Sequence, residues 1–276
     1  MKTDARHLNH SKLVSGGALP KRVSDFLRRA IWMLRLTGNP WQAFQTIRKI
    51  KQNSNSIQVI TSGSLPIKFR GIDELALYEV LLLQEYDFLK DYLTSCNRPK
   101  ILDIGAHIGT FAIWSFSVNS QAQVLSIEAD PQTCCVARQN MQQLSNQGFN
   151  WAVLEKAAGS SDNESLSFSN AGPSMSHRLN LNGDVTVRSI SLRSLLDTLD
   201  PEHQGIDLMK IDIEGGEENF ICGASDALDQ VKSVVIELHP QLCNIENVLD
   251  ILHQKFSKVT SVNSRLSSKP LMFCRN

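Results

Sequence analysis

From residue 100 onward, short apolar runs alternate with stretches of helical periodicity. Such alternation predicts a mostly parallel β-sheet with helices packed on both faces. Core strands are expected at residues 100–104, 123–128, 151–157, 206–213 and 231–238, with two closing strands near 257–262 and 270–274. The intervening helices are expected after Thr110, from Asp130-Pro131 to about Leu144, from Ser191 to Leu199, after Gly215-Gly216, and over about 244–255.

The first hundred residues show a different pattern. Residues 22–36 combine apolar positions at helical spacing with arginines on the other face, and a second basic helix is expected over 41–51. Residues 57–60 and 65–69 predict a hairpin, and Asp73 is expected to cap a helix from Glu74 to Leu83. We therefore divide the chain into a basic helical extension (1–56), a connecting hairpin with helices (57–99) and the main domain (100–276).

One stretch does not follow the alternation. Residues 159–183 are rich in Ser, Asn and Gly, with an apolar alternation only at Leu166–Phe168. A loop of this length is expected to be functional, so we predict a cover over the site. Ser174-Met175-Ser176-His177 is a candidate lining for an acceptor pocket, and Val185–Ile190 is expected to be a strand.

Composition narrows the class of protein. The chain has 276 residues and a hydrophobic fraction of 42%, enough for one large α/β domain with an extension or for two small domains. Residues 1–20 lack the apolar segment of a signal peptide, and no apolar run reaches the roughly 18 residues of a membrane span. The six cysteines form no Cys-x-x-Cys pair, which indicates idle thiols in a reducing compartment. We therefore expect a cytoplasmic protein.

Charge is unevenly distributed although the formal net charge is zero. Residues 1–51 hold 11 Lys or Arg against two acids, leaving 17 basic and 26 acidic residues in the rest. An acidic main domain argues against a nucleic-acid partner. The basic amphipathic helices within residues 21–51 have two interpretations, contact with an anionic membrane or packing on the domain or a partner chain. The second interpretation is favoured.

The turn after the first core strand carries the first candidate site. Residues 101–109 read Ile-Leu-Asp-Ile-Gly-Ala-His-Ile-Gly, with a helix after Gly109. Gly105 permits a sharp turn, and the helix start offers free N–H donors. Glu128, at the end of the next strand, can accept hydrogen bonds from two ribose hydroxyls. Asp103 would repel a pyrophosphate but suits the cationic groups of S-adenosylmethionine. The alternative is a tight turn in another kind of α/β protein.

Two further strands end in residues with acid–base chemistry. Lys210-Ile-Asp212-Ile-Glu214-Gly215 and Ile236-Glu-Leu-His239 both follow apolar strands, whose carboxyl ends converge at one sheet edge. Asp212 and Glu214 share a face, so one can meet the cofactor and the other the acceptor. His239, or Asp212, can act as general base toward a hydroxyl. The alternatives are helix capping by both acids and turn capping by His239. A divalent metal held by all three is a further alternative, although we predict none.

These blocks resemble the FkbM-type methyltransferases. The resemblance rests on residues 101–109, on Ile127-Glu-Ala-Asp-Pro131 and on Lys210–Gly215, with His107 standing where Asn is usual. It implies a class I methyltransferase (Rossmann-like) fold with seven strands, the last antiparallel. It also implies S-adenosylmethionine as cofactor and O-methylation of a small-molecule, natural-product or sugar hydroxyl. The alternatives are a nicotinamide-dependent oxidoreductase and a non-catalytic cofactor-binding or scaffold protein.

The predicted site residues fall into two groups, and Asp212 belongs to both. Those expected to contact the cofactor are Asp103, Gly105, Ala106, His107, Gly109, Glu128, Ala129, Ala157 and Asp212. Those expected to be catalytic are His239, Asp212 and Glu214. The expected partner is a small-molecule or glycan acceptor, and the sequence specifies no oligomeric state.

Overall fold

The N-terminal part of the protein is a pair of helices, α1 (Lys21–Thr37) and α2 (Pro40–Gln52). The structure is a computed structural model that describes residues 21–62, 64–169, 178–179, 185–262 and 269–276. Asn39 starts α2, because its side chain accepts hydrogen bonds from the Trp41 and Gln42 amides and Pro40 occupies the first helical position. The hairpin predicted next is confirmed as β1 (Gln58–Ser62) paired antiparallel with β2 (Leu65–Phe69).

The connecting segment differs from the single helix expected over 74–83. It forms a 3₁₀ turn (Gly71–Asp73), helix α3 (Glu74–Leu77), a π-helical turn (Tyr78–Leu82) and helix α4 (Lys90–Ser95). Asp73 stands at the predicted N-cap position of α3, but its side chain makes no cap hydrogen bond to that helix. Its buried carboxylate instead accepts hydrogen bonds from the Arg70 Nε and Nη2 atoms, each at 2.9 Å. A buried carboxylate needs a charged partner, and the guanidinium supplies one with fixed geometry.

The main domain alternates strands and helices as predicted. In chain order the elements are β3 (Lys100–Ile104), α5 (Thr110–Val118), β4 (Gln123–Glu128), α6 (Pro131–Ser145), β5 (Asn150–Glu155), β6 (Ala157–Ala158), β7 (Ser165–Ser169), β8 (Arg178–Leu179), β9 (Val185–Ile190), α7 (Leu192–Leu199), β10 (Leu208–Ile211), α8 (Glu217–Gly223), β11 (Ser233–Glu237), α9 (Ile245–Lys255), β12 (Lys258–Val262) and β13 (Leu271–Arg275).

Seven strands form the central sheet, in the order β12-β13-β11-β10-β3-β4-β5. β13 runs antiparallel to both its neighbours, and the β10–β11, β10–β3, β3–β4 and β4–β5 pairs are parallel. Apolar clusters cover both faces, with α1, α2, α5 and α6 on one and α7, α8 and α9 on the other. The predicted fold class, a doubly covered α/β sheet of the class I methyltransferase type, is confirmed. Strand order reverses between β3 and β10, where ligands bind in open α/β sheets.

A second sheet replaces part of the predicted cover. The third core strand was expected to run to residue 157, but β5 ends at Glu155 and Ala157–Ala158 pairs with β9 instead. This second sheet has the order β6-β9-β7-β8, so the 159–183 stretch includes β7 and β8. Ser174–His177 lies outside the described residues, and its predicted role stays a prediction.

The two helices of the N-terminal extension pack on the main domain. Met33, Leu36, Ile47 and Ile50 of α1 and α2 are buried in the same apolar cluster as β3 and α5. The proposed division of the chain at residues 56 and 99 stays a prediction. Within the described ranges, none of the helices has both the length and the apolar character that crossing a membrane requires.

Candidate active site

The glycine turn after β3 brings two parts of the chain together. Gly105 and Gly109 have φ values of +77° and +87°, in the left-handed region that favours glycine. A Cβ on Gly105 would lie 1.8 Å from the carbonyl oxygen of Asp212, and one on Gly109 would lie 2.4 Å from the Trp151 ring. Both glycines are therefore required by close contacts within the chain.

Glu128 is held in place by the backbone of this turn. The His107 N–H donates to Oε2 of Glu128 at 2.8 Å, and the Asp130 N–H donates to Oε1 at 2.8 Å. Burial raises the pKa of Glu128 to about 7 against these two hydrogen bonds. The two amides fix the direction of the carboxylate at the end of β4, which is the position predicted for ribose binding.

The imidazole of His107 points to the connecting segment. Its Nε2 lies 3.5 Å from Oδ1 of Asp73, and burial lowers its pKa to about 4. The ring is therefore neutral at physiological pH. The backbone N–H of His107, rather than its ring, makes the contact that shapes the candidate cofactor site.

Asp103 lies inside the sheet, paired with a lysine that the sequence analysis gave no role. Strand register places Lys210 of β10 beside Asp103 of β3, and the Lys210 Nζ atom lies 3.5 Å from Oδ1 of Asp103. Lys210 also donates a 2.7 Å hydrogen bond to the Gly105 carbonyl, and the Ser126 hydroxyl donates to Asp103 at 3.1 Å. Burial raises the pKa of Asp103, opposed by Lys210. The predicted cofactor contact of Asp103 stays a prediction.

The three predicted catalytic residues converge around His239. The ring is buried just after β11, and its Nε2 lies 3.2 Å from Oε2 of Glu214 and 3.9 Å from Oδ1 of Asp212. Helix α8 begins at Glu217 with Gly216 as its N-cap residue, so Asp212 and Glu214 precede the cap. The alternative that Asp212 and Glu214 cap this helix is therefore wrong.

Glu217, which the sequence analysis did not single out, holds the other ring nitrogen. Its Oε1 lies 2.6 Å from Nδ1 of His239, and its side chain is fully buried. Burial disfavours the imidazolium, but hydrogen bonds to Glu214 and Glu217 outweigh this and raise the pKa of His239 to about 10. The same contacts with His239 overcome the opposing effect of burial and lower the pKa values of Glu214 and Glu217.

Lys269, which the sequence pattern did not indicate, adds a cation to the cluster around His239. Its Nζ lies 2.7 Å from Nε2 of His239, 3.0 Å from Oε1 of Glu214 and 3.5 Å from Oε1 of Glu237. Burial raises the pKa of Glu237 to about 7, and the charge of Asp212 adds to this rise. Neither Glu217 nor Lys269 carries a distinctive sequence signal. Glu217 looks like an ordinary acid at a helix start, and Lys269 precedes β13 by two residues without any motif.

A metal alternative was left open for the same residues. One ligand atom from each of Asp212, Glu214 and His239 lies within 4.8 Å of the others, which suits a divalent cation. The Lys269 ammonium contacts two of these three groups and already supplies a positive charge there. The expected absence of a metal stays a prediction.

These residues fit S-adenosylmethionine by their chemistry. The cofactor carries a sulfonium and an amino group, which match an edge rich in carboxylates, and its ribose diol matches the oriented Glu128 carboxylate. Ala106 is buried, with its N–H donating to the Ile127 carbonyl at 2.9 Å. Ala129 packs near buried Ala157, whose strand β6 belongs to the second sheet. The individual cofactor contacts of these alanines stay predictions.

A seven-stranded sheet with an antiparallel β13 and an acid-rich edge at its switch point is the arrangement expected of a Rossmann-like methyltransferase. Residues 103–259, more than half of the chain, match the family described as the methyltransferase FkbM domain. The chain therefore belongs to the FkbM methyltransferase family, and the resemblance inferred from its motifs is confirmed. Family membership supports S-adenosylmethionine as the cofactor and disfavours the nicotinamide alternative.

Individual relatives are more distant. The chain is 25% identical over 158 residues to hexuronic acid methyltransferase AglP of Haloferax volcanii, a match that covers 56% of this chain and 62% of AglP. The match thus spans less than two thirds of that relative.

Solved structures share the general architecture at low similarity. A methyltransferase FkbM of Methylobacillus flagellatus has 15% identity and a TM-score of 0.48, covering 88% of this chain and 62% of its own. A SAM-dependent O-methyltransferase of Thermotoga maritima has 12% identity and a TM-score of 0.44, covering 79% and 77%. Both TM-scores are below 0.5, so the fold assignment rests on the strand order given above.

Proposed function

We propose that the protein is an S-adenosylmethionine-dependent O-methyltransferase acting on a hydroxyl of a sugar-type or other small-molecule acceptor. The observation that carries the proposal is the geometry of His239, whose Nδ1 is held by buried Glu217 while Nε2 faces Glu214, Asp212 and Lys269. A His nitrogen fixed in this way suits general-base catalysis. The sugar-type acceptor is supported by the relative described as a hexuronic acid methyltransferase.

The protein's main contribution is alignment. The cofactor supplies an activated methyl group, so the residues around it have to place the acceptor oxygen in line with the methyl carbon. Glu128 would hold the ribose, and Asp212, whose side chain is 24% exposed, would face the cationic end. Glu214 is 21% exposed and lies on the acceptor side with His239.

His239 would then take the hydroxyl proton at Nε2. In the neutral ring the Nδ1–H donates to Glu217, leaving Nε2 as an acceptor. The 2.7 Å contact with Lys269 matches this state, because an ammonium can only donate. Once protonated, the imidazolium is stabilised by Glu214 and Glu217. Asp212 remains the second candidate for the base.

Two features of the site act in opposite directions on the charge of His239. Glu214 and Glu217 raise its pKa to about 10, which favours the imidazolium, whereas the 2.7 Å contact of its Nε2 atom with the Lys269 ammonium requires a neutral ring. The bound cofactor would place a cation beside Asp212, and that charge would oppose the imidazolium and favour the neutral base at His239.

The test uses labelled S-adenosylmethionine with neutral sugars, hexuronic acids and small alcohols, and the product is identified by mass. Treatment with mild alkali distinguishes a methyl ether, which survives, from a methyl ester, which is cleaved. We expect an ether. An ester would contradict the hydroxyl acceptor, because transfer to a carboxylate requires no base.

A pair of histidine variants tests the assigned base. His239→Asn is expected to keep cofactor affinity by calorimetry but to lose at least about 100-fold in kcat, the lower range for general-base removal. His253→Asn, at an exposed position on α9, is the control and should retain both. Full turnover of His239→Asn would remove His239 from the mechanism.

A further inference from the structure

Helices α1 and α2 present apolar side chains to solvent, far in the sequence from the candidate active site. We call this surface the apolar helical face, formed by Phe26, Leu27, Ile31, Leu34, Trp41 and Phe44. Trp41 is 67% exposed, Phe44 56% and Ile31 51%. Six large apolar side chains on two neighbouring helices form a patch of the kind that marks an interaction surface.

The six residues form one face because the helices are arranged as a hairpin. Phe26, Leu27, Ile31 and Leu34 fall within one side of α1 at helical spacing, and the Trp41 and Phe44 rings stack at 6.0 Å. The Lys51 Nζ atom lies 4.8 Å from the centre of the Phe26 ring, which joins the end of α2 to the start of α1.

The protein's own core does not explain these apolar positions. The opposite sides of the two helices already supply the buried residues that pack on the domain, which are Met33, Leu36, Ala43, Ile47 and Ile50. Each helix therefore has two apolar sides, one buried and one exposed. A helix that only packs on its own domain would place polar residues on the second side.

Basic side chains surround the apolar helical face. Residues 21–52 contain eight Lys or Arg and one acid, Asp25. Those with exposed side chains include Arg28, Arg35, Arg48, Lys49 and Lys51. Apolar aromatic residues bordered by long basic side chains suit the interface of a bilayer with anionic headgroups, where the rings enter and the charges remain at the phosphates.

We propose that the apolar helical face docks on the surface of an anionic lipid bilayer, with α1 and α2 lying in the interfacial plane. Charge complementarity favours this partner over a second copy of the chain, since a symmetric contact would bring two strongly basic surfaces together. Residues 1–20 offer no complementary charge either, with Lys2, Arg6 and Lys12 against Asp4. The contact would be peripheral, and it does not depend on the proposed activity.

The experiment is co-sedimentation of the full chain with vesicles. One set contains phosphatidylcholine alone and the other adds phosphatidylglycerol. We expect binding to the anionic vesicles that weakens at high salt, and at least tenfold weaker binding to the neutral ones. Equal binding to both sets, or no binding to either, would overturn the proposal, and this result requires no variant.

Paired variants locate the surface. Trp41→Ser/Phe44→Ser and Arg48→Glu/Lys51→Glu should each reduce binding to anionic vesicles at least tenfold. Phe88→Ser, at a 38% exposed aromatic outside the two helices, is the control and should bind normally. Cofactor calorimetry checks that each variant is folded. If the control loses as much binding as the paired variants, the loss is not specific to α1 and α2, and the proposed surface is wrong. If Trp41→Ser/Phe44→Ser converts a dimer to a monomer without changing vesicle binding, the surface serves another partner.

Discussion

Glu217 offers the sharpest test of the site, because it is fully buried and its strongest contact is with the candidate base. Glu217→Gln keeps the shape and an oxygen acceptor for Nδ1 of His239 but removes the charge. We expect the variant to bind the cofactor and to lose turnover, since Glu217 is a positioning residue that acts through His239. The substitution should also lower the pKa of His239 and change the pH dependence of stability.

The magnitude follows from the surroundings of His239. A rise in its pKa from 6.5 to about 10 corresponds to roughly 5 kcal/mol of preferential interaction with the imidazolium. Glu217 is fully buried, whereas the Glu214 side chain is 21% exposed, so Glu217 should supply more than half. We assign about 3 kcal/mol of this interaction to Glu217, which is the lower value for removing one partner of a buried pair. The His239 pKa in the variant then lies near 8, by the same conversion.

The sign of the pH effect is fixed by the raised pKa. Stability from a histidine with a raised folded pKa is fully present below about 6.5 and is lost as pH rises through about 10. The unaltered protein should therefore exceed Glu217→Gln by about 3 kcal/mol at pH 7 and by about half of that at pH 9. Groups common to both proteins cancel in this difference.

The assay is urea denaturation of both proteins at pH 7 and pH 9, with imidazole NMR to follow the His239 titration. Glu218→Gln is the matched control, because the hydrogen bonds that the neighbouring Glu218 accepts from Asn244 and Asn247 are exposed to solvent. It should cost less than about 1 kcal/mol at either pH. A stability difference that stays constant between the two pH values would refute the assigned Glu217–His239 coupling.

Three further outcomes are expected. Glu128→Gln should weaken cofactor binding by calorimetry about tenfold or more, because hydrogen bonds to a charged group contribute about 1.5–3 kcal/mol, whereas Glu155→Gln should not. Gly109→Ala should cost at least about 2 kcal/mol in chemical denaturation, since its Cβ would lie 2.4 Å from the Trp151 ring at a positive φ; unchanged stability would show that the ring moves freely. EDTA should leave turnover unchanged, because Lys269 supplies the cation at this site, and a loss restored by Mg²⁺ would establish a metal.

The central sheet could be predicted because its parallel strands contain apolar runs bounded by turn residues. In the second sheet the predicted strand Val185–Ile190 is confirmed as β9. The strand β7 could not be predicted, because it reads Ser-Leu-Ser-Phe-Ser within a polar stretch and has few apolar residues to distinguish it from a loop. The π-helical turn at Tyr78–Leu82 could not be predicted for the opposite reason, since its residues have the apolar spacing of an ordinary helix. Local patterns specify burial better than they specify hydrogen-bond register.

At the site, topology made Asp212, Glu214 and His239 predictable. Carboxyl ends of neighbouring parallel strands meet at one edge, so residues that follow such strands have to lie close together. Glu217 and Lys269 depend on the tertiary path instead. Glu217 looks like an ordinary acid in the first turn of a helix, and Lys269 lies 30 residues from His239 with no fixed spacing between them.

The cofactor side and the acceptor side of the candidate site are in direct contact. This contact limits the variants that can separate the roles of the two sides. The Gly105 turn packs against the Asp212 carbonyl, and Lys210 links Asp103 to the Gly105 carbonyl across β3 and β10. Replacing Asp103 would leave the buried Lys210 charge poorly compensated, a loss of about 3–5 kcal/mol. Cofactor binding and turnover would then fall together through destabilisation. Glu128 and His239, which project from the ends of different strands, are the positions at which binding and proton transfer can be separated.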